Sequence, residues 1–345
     1  MRIKWKNIIE IAREEAAKYY EQNKIPLTVR GLFYILVSKN IIPNTKTTYS
    51  SLSRALAITR YYGIFPWYYI IDKTRETTWG DLGHTLADAQ RILEELKNLT
   101  PEKKDELLKE YLKRRYTITL SQWERQSHRV LVVVEKDAVY SIIKNIVKTQ
   151  LGWDVSVTFT RGFESASSAK EIADWVKYLK RKEITPVLLL IYDFDPSGEY
   201  AAIDFIFRII VLTLRKSEVE KYFKQWRTAK TDNEKKEILR DLTESTGIIW
   251  EKIMLTWDQV VKYNIPPTPE AEEVLKKLQR DPRKKWFKEK YGDLYQAEVD
   301  ALLSLQPVES KNIIDNAIRK YFDQKIYEEV KKKEEELKKQ IETLL

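Results

Sequence analysis

The clearest pattern along the chain is an unbroken apolar run, Val187–Tyr192, that leads directly into two acidic residues, Asp193 and Asp195. A short, nearly continuous run of Val, Leu and Ile is typical of a strand buried on both faces, most often in a parallel sheet. A Pro-Ser-Gly turn follows the acidic pair, and the pattern then predicts a helix over Glu199–Leu214. Both carboxylates are therefore expected at the carboxyl end of a central strand, where open α/β sheets bind their ligands.

A second apolar run, His128–Val134, has the same features and leads into Glu135. The segments between the two runs are predicted to be a helix, a strand and a helix, over Ala138–Thr149, Trp153–Thr160 and Glu164–Arg181. The order is β-α-β-α-β, and right-handed crossovers keep the carboxyl ends of such strands on one edge of the sheet. We therefore expect Glu135 to meet the acidic pair. The alternative is that Asp193 or Asp195 only caps the following helix.

Helical periodicity dominates the N-terminal part. Trp5–Asn23 is predicted as an amphipathic helix, and Thr28 as the N-cap of a second helix over Val29–Lys39. The apolar stripe of this second helix is formed by Val29, Leu32, Phe33 and Leu36. Arg30 and Tyr34 fall on roughly the opposite face, so Tyr34 has no evident place in the core contact of this helix.

A third helix, Thr45–Tyr62, is followed by an extended aromatic stretch, Ile64–Ile71, which predicts a β-hairpin or wing. Helix, turn, basic helix and wing is the winged helix-turn-helix pattern, in which the second helix usually enters the major groove of DNA. Other modules with this pattern bind proteins instead. The candidate DNA contacts on the third helix are Lys46, Tyr49, Arg54 and Arg60.

The amino-acid composition restricts the classes of partner and of functional site that can be expected. The 345 residues carry a formal charge of +9, with a pI of about 9.2, which favours a polyanion such as nucleic acid. Cysteine is absent, which excludes disulfides, thiolate zinc sites and a cysteine nucleophile. No apolar run approaches the roughly 20 residues of a membrane span, and the N-terminus lacks the pattern of a signal peptide. We expect a soluble, cytoplasmic protein with no membrane partner.

The motifs VVVEKD, at 132–137, and YDFDPSG, at 192–198, resemble those of the Toprim domain of topoisomerases, primases and related nucleases. The resemblance implies a magnesium site, with manganese as the alternative metal, formed by Glu135, Asp193 and Asp195. Carboxylate oxygens are the ligands that this hard cation prefers. Arg161, with the helix N-terminus after it, is a candidate contact for a DNA phosphate, and an ordinary turn is the alternative. Glu199 is either a further metal contact or an acid favoured in the first turn of a helix.

Residues 30–34, RGLFY, resemble the R-x-x-[YF]-Y motif of the winged-helix domain in the DNA-cleaving subunit of topoisomerase VI and in its meiotic relatives. The resemblance implies that Tyr34 is a nucleophile that attacks DNA and that Arg30 contacts phosphate. Glu135 is then also a candidate general acid or base. Since the tyrosine of one subunit works with the metal site of its partner in that family, a homodimer is implied. Similarity continues at residues 263–267 and 298–302, where Glu298 and Asp300 are candidate additions to the acidic site.

The expected fold is α/β plus α, with four segments. They are a winged helix-turn-helix domain over 1–83, a helical connector over 84–127, a Toprim core with a Rossmann-like parallel sheet over 128–215, and a helical C-terminal extension over 216–345. The chain also resembles stand-alone winged-helix and Toprim proteins of mobile elements and plasmid defence. Strand passage would need a separate GHKL-type ATPase subunit.

Three functions follow from these expectations. The first is magnesium-dependent cleavage of double-stranded DNA by tyrosine transesterification. The second is hydrolysis of DNA by metal-activated water, with Tyr34 only touching DNA. The third is DNA binding without catalysis, against which the intact set of three acids argues.

Overall fold

The computed structural model of the chain describes residues 5–61, 64–71, 94, 98–115, 118–160, 166–229, 232–269, 282–291 and 295–344. Six strands are found there: β1 (Leu27–Thr28), β2 (Ile70–Ile71), β3 (His128–Val134), β4 (Ser156–Phe159), β5 (Thr185–Ile191) and β6 (Ile249–Met254). The helices of the first half are α1 (Trp5–Asn23), α2 (Val29–Ser38), α3 (Lys46–Tyr61), α4 (Pro101–Arg115), α5 (Asp137–Asn145) and α6 (Ala166–Arg181). Those of the second half are α7 (Pro196–Thr213), α8 (Lys216–Thr228), α9 (Asp232–Thr246), α10 (Trp257–Lys262), α11 (Pro282–Tyr291), α12 (Val299–Leu305), α13 (Pro307–Arg319) and α14 (Gln324–Leu344).

A four-stranded parallel sheet in the order β4-β3-β5-β6 forms the centre of the fold. Its two middle strands, β3 and β5, are the two apolar runs of the sequence, and they pair in register from His128↔Thr185 to Val134↔Ile191. Every residue from Val130 to Val134 and from Pro186 to Ile191 is buried, because helices cover both faces. The mixed α/β class and the predicted β-α-β-α-β order are confirmed, although α5 ends at Asn145 and continues as a π-helical turn, Ile146–Gln150.

The last strand of this sheet, β6, was not predicted, because the pattern beyond Leu214 indicates mostly helix. β6 is an edge strand that pairs only with β5 among the described strands, and its residues alternate less clearly because Glu251 and Lys252 interrupt the apolar run. An edge strand tolerates such charged residues, since one side of it is not enclosed by the sheet. Gly247, at a φ of 65°, ends α9 and marks the turn into this strand.

The N-terminal helices form as predicted, and Thr28 caps α2 by accepting a hydrogen bond from the backbone N–H of Gly31 at 2.8 Å. The hairpin expected over Ile64–Ile71 does not form within those residues. They contain one turn of 3₁₀ helix, Trp67–Tyr69, and then β2, which pairs in parallel with β1. The continuation of a wing, at residues 72–93, lies outside the described residues.

Helix α2 is packed on two sides, and this corrects the expected position of Tyr34. Its apolar stripe contacts α1 and α3, while the opposite face packs on α12. The two helices come so close that a Cβ at Gly31 would overlap Ser304 Oγ. Tyr34 is therefore fully buried, at 0 % exposure, rather than on an open face. The helix periodicity located this face correctly, but it carried no information about a second packing partner from the far end of the chain.

The chain divides into two compact units, Met1–Thr74 with Ser127–Phe322 and Arg75–Gln126 with Asp323–Leu345. In the second unit, Leu120 N donates to Glu334 Oε2 at 2.9 Å, and the side chain of Gln126 both donates to and accepts from the backbone of Asp323. No helix in the described ranges combines the length and the apolar character that a membrane span requires.

Candidate functional site

Glu135 and Asp193 meet at the carboxyl edge of the sheet, as the sequence predicts. Each follows one of the two paired middle strands, whose last pair is Val134↔Ile191. The backbone N–H of Asp193 donates to Glu135 Oε2 at 3.0 Å. Burial raises the pKa of Glu135 to about 7, and the carboxylates of Asp193 and Asp195 raise it as well. Glu135 therefore lies close enough to both aspartates for their negative charge to act on it.

Asp195 serves as the N-cap of α7, which is the structural alternative considered for the acidic pair. Its Oδ1 accepts a hydrogen bond from the N–H of Gly198 at 2.6 Å. Gly198 is needed at this turn, because a Cβ there would lie 2.7 Å from the carbonyl oxygen of Asp193 and 3.3 Å from Glu135 Oε2. The turn thus brings the start of α7 directly against the carboxylate of Glu135 and the backbone of Asp193.

The three carboxylates are held by protein donors rather than grouped around a common point. Asp193 Oδ1 accepts from the N–H of Val299 at 2.9 Å, and Oδ2 is ion-paired with Lys136. Within the part of the chain that the structure describes, no three His, Cys, Asp or Glu side chains are arranged so that they could hold a metal ion. The donor set still fits magnesium in kind, since it supplies hard carboxylate oxygens with mutual repulsion that a cation relieves. At Asp193, the ammonium group of Lys136 provides the neighbouring positive charge.

Glu298 joins the N-terminal helices to this acidic edge. Its Oε2 accepts from Tyr34 Oη at 2.9 Å and is ion-paired with Arg30 Nε at 2.8 Å, and its Oε1 accepts from Lys136 Nζ at 3.0 Å. We call Tyr34, Arg30, Lys136, Asp193 and Glu298 the Glu298 cluster. A second link lies beside it, where the hydroxyl of Thr28 donates to Asp300 Oδ1. The residues Glu298 and Asp300, singled out in the sequence as additions to the acidic site, thus bind α2.

Burial and charge set the protonation of the Glu298 cluster. Burial first, and then the carboxylate of Glu298, raise the pKa of Tyr34 well above that of an ordinary tyrosine, while Arg30 opposes the change. Burial alone lowers the pKa of Lys136, but the carboxylates of Asp193 and Glu298 reverse this and raise it above its usual value. Tyr34 is therefore a neutral phenol that donates a hydrogen bond to Glu298, and Lys136 is an ammonium ion.

The predicted DNA contacts lie in different surroundings. Lys46 and Arg54 are exposed on α3, whereas Tyr49 is half-buried and its ring covers the guanidinium of Arg30 at 4.2 Å. Arg60, expected among the polar surface positions, is buried at 4 % exposure because it lies in the last turn of α3, where its Nε donates to the carbonyl of Leu56 at 3.4 Å. Arg161 lies outside the described residues.

A second buried glutamate, Glu199, adjoins a cavity of about 850 Å³. Glu199 is ion-paired with Lys252, accepts from Tyr291 Oη at 3.1 Å and lies 4.0 Å from Lys290 Nζ. Lys252 Nζ also donates to the carbonyl oxygen of Asp193 at 2.9 Å. We call Glu199, Lys252, Tyr291 and Lys290 the Glu199 cluster. Two roles were open for Glu199 from the sequence, metal contact or helix-start acid. The structure places Glu199 in the first turn of α7, as the second role requires, and also pairs it with Lys252.

Sequence reasoning missed both bridging lysines. Lys136 stands between two acids in VVVEKD, and a lysine directly after a buried strand, beside the predicted acidic edge, is a signal for an ion pair there. Lys252 was missed because β6 was missed. The apolar residues Ile248–Trp250 and Ile253–Leu255 on either side of Glu251-Lys252, following Gly247, are the signal that would have revealed that strand.

Comparison of the chain with models of protein families, with curated proteins and with solved structures gave no match. Its function is therefore inferred from the geometry of this chain.

Proposed function

We propose that the protein cleaves phosphodiester bonds of double-stranded DNA in a magnesium-dependent reaction in which Tyr34 is the nucleophile. One observation carries this proposal. The contacts of Glu298 bring Tyr34 and Arg30, from a helix near the N-terminus, into one cluster with Asp193 at the acidic edge of the sheet. On this proposal the N-terminal helices are a winged-helix DNA-binding module and the parallel sheet is a Toprim domain.

The surroundings of Glu298 suit a phosphate. Its carboxylate is bound by a guanidinium, an ammonium and a phenol, which are the donors that recognise an anionic oxygen of DNA. A DNA phosphate that replaces the carboxylate beside Arg30 would meet Tyr34 as well. The structure then corresponds to a resting arrangement, in which Glu298 occupies the place of the substrate.

The proposed step is a transesterification. The phenolic oxygen of Tyr34 attacks phosphorus, the P–O3′ bond breaks, and the products are a 5′-phosphotyrosine and a 3′-hydroxyl end. Because the phosphate has displaced Glu298 from the hydroxyl, the phenol proton passes to water, and the leaving 3′ oxygen takes a proton from Glu135. Arg30 offsets the negative charge that develops on the phosphate.

Magnesium, or manganese in its place, is the proposed cofactor, and Glu135, Asp193 and Asp195 are the residues that would hold it. When bound, the metal supplies Lewis-acid stabilisation of the phosphate. Binding of the metal would also involve Lys136, because its ammonium group must leave Asp193 before a metal ion can approach that carboxylate. The Tyr34–Glu298 contact is made within one chain and does not involve a second subunit. The homodimer and the separate GHKL-type ATPase subunit are proposed from the resemblance alone.

Hydrolysis by metal-activated water is the second candidate. The observation that favours it is the burial of Tyr34, at 0 % exposure and with its hydroxyl on Glu298. If α2 stays on α12 during the reaction, Tyr34 positions Arg30 and Glu298, and water attacks at the acidic edge.

A plasmid cleavage assay with magnesium or manganese separates the two candidates. Reactions with the wild type and with Tyr34→Phe are stopped in SDS, with and without protease, and the DNA ends are analysed. We expect protein-linked 5′ ends from the wild type and none from Tyr34→Phe. Free ends produced equally by both proteins would establish hydrolysis instead, and no cleavage by either would count against both candidates.

Two further variants serve as controls, one for the loss of a tyrosine hydroxyl and one for the role of the Asp195 charge. Tyr178→Phe, on α6, removes the hydroxyl of a tyrosine that is 55 % exposed and should cleave like the wild type. Asp195→Asn keeps an N-cap acceptor for Gly198 but removes the charge, so it should fold normally and lose cleavage. Normal cleavage by Asp195→Asn would show that this carboxylate has only its capping role.

A further inference from the structure

The cavity beside Glu199 has the size and lining of a small-molecule site. Its volume is about 850 Å³, within the range of ligand pockets in proteins. It is lined by residues of α7, α9 and β6 and by residues in or next to α10 and α11, and it opens to the surface. Two kinds of side chain dominate its wall: large aromatic rings, contributed by Trp250, Trp257 and Tyr291, and long cationic chains, among them Lys236 and Lys290.

The basic side chains of the cavity are crowded. Four basic and three acidic residues line it, so the wall carries one net positive charge. Burial lowers the pKa of Lys290, Glu199 opposes this change, and the cations of Lys236 and Lys252 lower the pKa further. Lys252 is already paired with Glu199. An anion that reached Lys236 and Lys290 would therefore relieve repulsion between like charges.

The aromatic wall is held in place by packing. Trp257 stacks on Phe194 with ring centroids 5.4 Å apart, and Tyr291 meets both rings, at 4.9 Å from Phe194 and 6.0 Å from Trp257. Trp250 Nε1 donates to Thr243 Oγ1 at 3.3 Å. Rings fixed in this way are suited to stacking with a planar base.

We propose that this cavity binds a nucleotide, with its base against the tryptophan and tyrosine rings and its phosphate near Lys236 and Lys290. The proposal goes beyond DNA cleavage and does not depend on it, because binding is measured without turnover. A free nucleotide and a nucleotide within a single strand share this chemistry, and competition between the two distinguishes them.

A bound nucleotide would contact elements next to the acidic edge. Phe194, which packs on Trp257, lies between the two aspartates, and its backbone forms an antiparallel bridge with Ala297, the residue before Glu298. Lys252 joins the cavity to the carbonyl oxygen of Asp193. A nucleotide in the cavity would therefore be linked, through Trp257 and Lys252, to the segment that carries Asp193 and Asp195.

Calorimetric titration of the full chain tests the proposal with four probes: deoxyadenosine monophosphate, deoxyadenosine, inorganic phosphate and a short single-stranded oligonucleotide. We expect saturable binding of the monophosphate, and binding at least about tenfold weaker for the nucleoside and for phosphate, since each lacks one of the two contacts. Displacement of the monophosphate by the oligonucleotide identifies a strand as the source, and its retention identifies a free nucleotide. Absence of saturable monophosphate binding, or equal binding of phosphate alone, would overturn the proposal.

Variants on α11 assign the site. Lys290→Gln, whose side chain is 41 % exposed and tolerates substitution, should weaken monophosphate binding about tenfold, because one charge-assisted contact is lost. Lys288→Gln, on the same helix and outside the cavity lining, should bind like the wild type. Equal effects of the two substitutions would show that general charge, and not the cavity, governs binding. Trp257→Leu, checked for folding by circular dichroism, should abolish the preference for the nucleotide over phosphate.

Discussion

Glu298 and Glu199 have closely similar partners in very different enclosures. Each is buried, accepts the hydroxyl of one tyrosine and has two cations beside it, Lys136 and Arg30 at Glu298 and Lys252 and Lys290 at Glu199. One lysine of each cluster also contacts Asp193, Lys136 at its carboxylate and Lys252 at its carbonyl oxygen. The Glu298 cluster, however, is covered by α2, while the Glu199 cluster borders a large cavity.

The difference shows how one set of side chains serves two purposes. In the Glu298 cluster the tyrosine is fully buried, so the polar contacts join two parts of the chain. In the Glu199 cluster the tyrosine, Tyr291, is half-buried and lines the cavity, so the same chemistry remains open to a ligand. Enclosure, rather than residue type, therefore separates a cluster that joins helices from one that is able to bind small molecules.

Removal of each glutamate charge should give the largest contrast. Glu298→Gln removes one carboxylate from Arg30 and Lys136, whose side chains are 20 % and 39 % exposed, and weakens the acceptor of the buried Tyr34 hydroxyl. We expect it to lower the free energy of unfolding by about 2–3 kcal/mol. Glu199→Gln should cost about 1–2 kcal/mol, because water in the cavity can solvate Lys252. Urea unfolding of the two variants measures both values. A larger loss for Glu199→Gln would reverse the assignment of closed and open clusters.

The second prediction concerns how stability depends on pH through Asp300, which lies beside the Glu298 cluster. Burial raises the pKa of Asp300 to about 6 from an ordinary value of 3.8, and Glu298 raises it further, while the hydrogen bond from Thr28 opposes the change. A carboxyl group with a raised pKa in the folded state stabilises that state below pH 3.8, and this contribution is lost as the pH rises through about 6.

Asp300→Asn retains an acceptor for Thr28 and removes the titration. At pH 7 we expect the variant to be more stable than the wild type by at most about 3 kcal/mol, with the difference disappearing near pH 4. Unfolding in urea at a series of pH values measures this difference. Asp154→Asn, at an exposed site, is the control and should follow the wild type. Parallel pH profiles for Asp300→Asn and the wild type would contradict the prediction.

The smallest effect is expected from Gly31→Ala, which tests the closeness of α2 to α12. The added Cβ overlaps Ser304 Oγ, and overpacking of this kind costs about 1–3 kcal/mol. The better helix propensity of alanine offsets about 1 kcal/mol of this cost, so we expect a net loss of at most about 2 kcal/mol. Combination with Ser304→Gly removes the overlap and should recover part of the loss. If Gly31→Ala has the stability of the wild type, the helices are less closely packed than described.

The local pattern of apolar and polar residues was sufficient to predict the two central strands of the sheet. The buried strands β3 and β5 are continuous apolar runs, and the acids follow directly after them, so both the β-α-β-α-β order along the chain and the meeting of Glu135 with Asp193 were predictable. β6 was not, because an edge strand that carries Glu251 and Lys252 resembles the charged helices around it. The partners of the acids were not predictable either, since Glu298 reaches Tyr34 through a contact between distant parts of the chain.

Tyr34 illustrates the limit most clearly. Its place opposite the apolar stripe is correct, and periodicity alone suggested an open face. What buries it is α12, which the sequence marked only through Glu298 and Asp300. A polar face on a helix is thus compatible with full burial when another segment supplies matching polar groups.

The contact between Tyr34 and Glu298 spans 264 residues, and this separation has a consequence for biosynthesis. At about 10 residues per second, α2 leaves the ribosome roughly half a minute before Glu298 is made. Until then Arg30 and Tyr34 lack the carboxylate that pairs with them in the finished protein, and the surface of α2 that will face α12 is open to water and to chaperones. A nascent chain stopped before residue 298 should therefore be cut by protease near α2, and one released after α12 has emerged should resist.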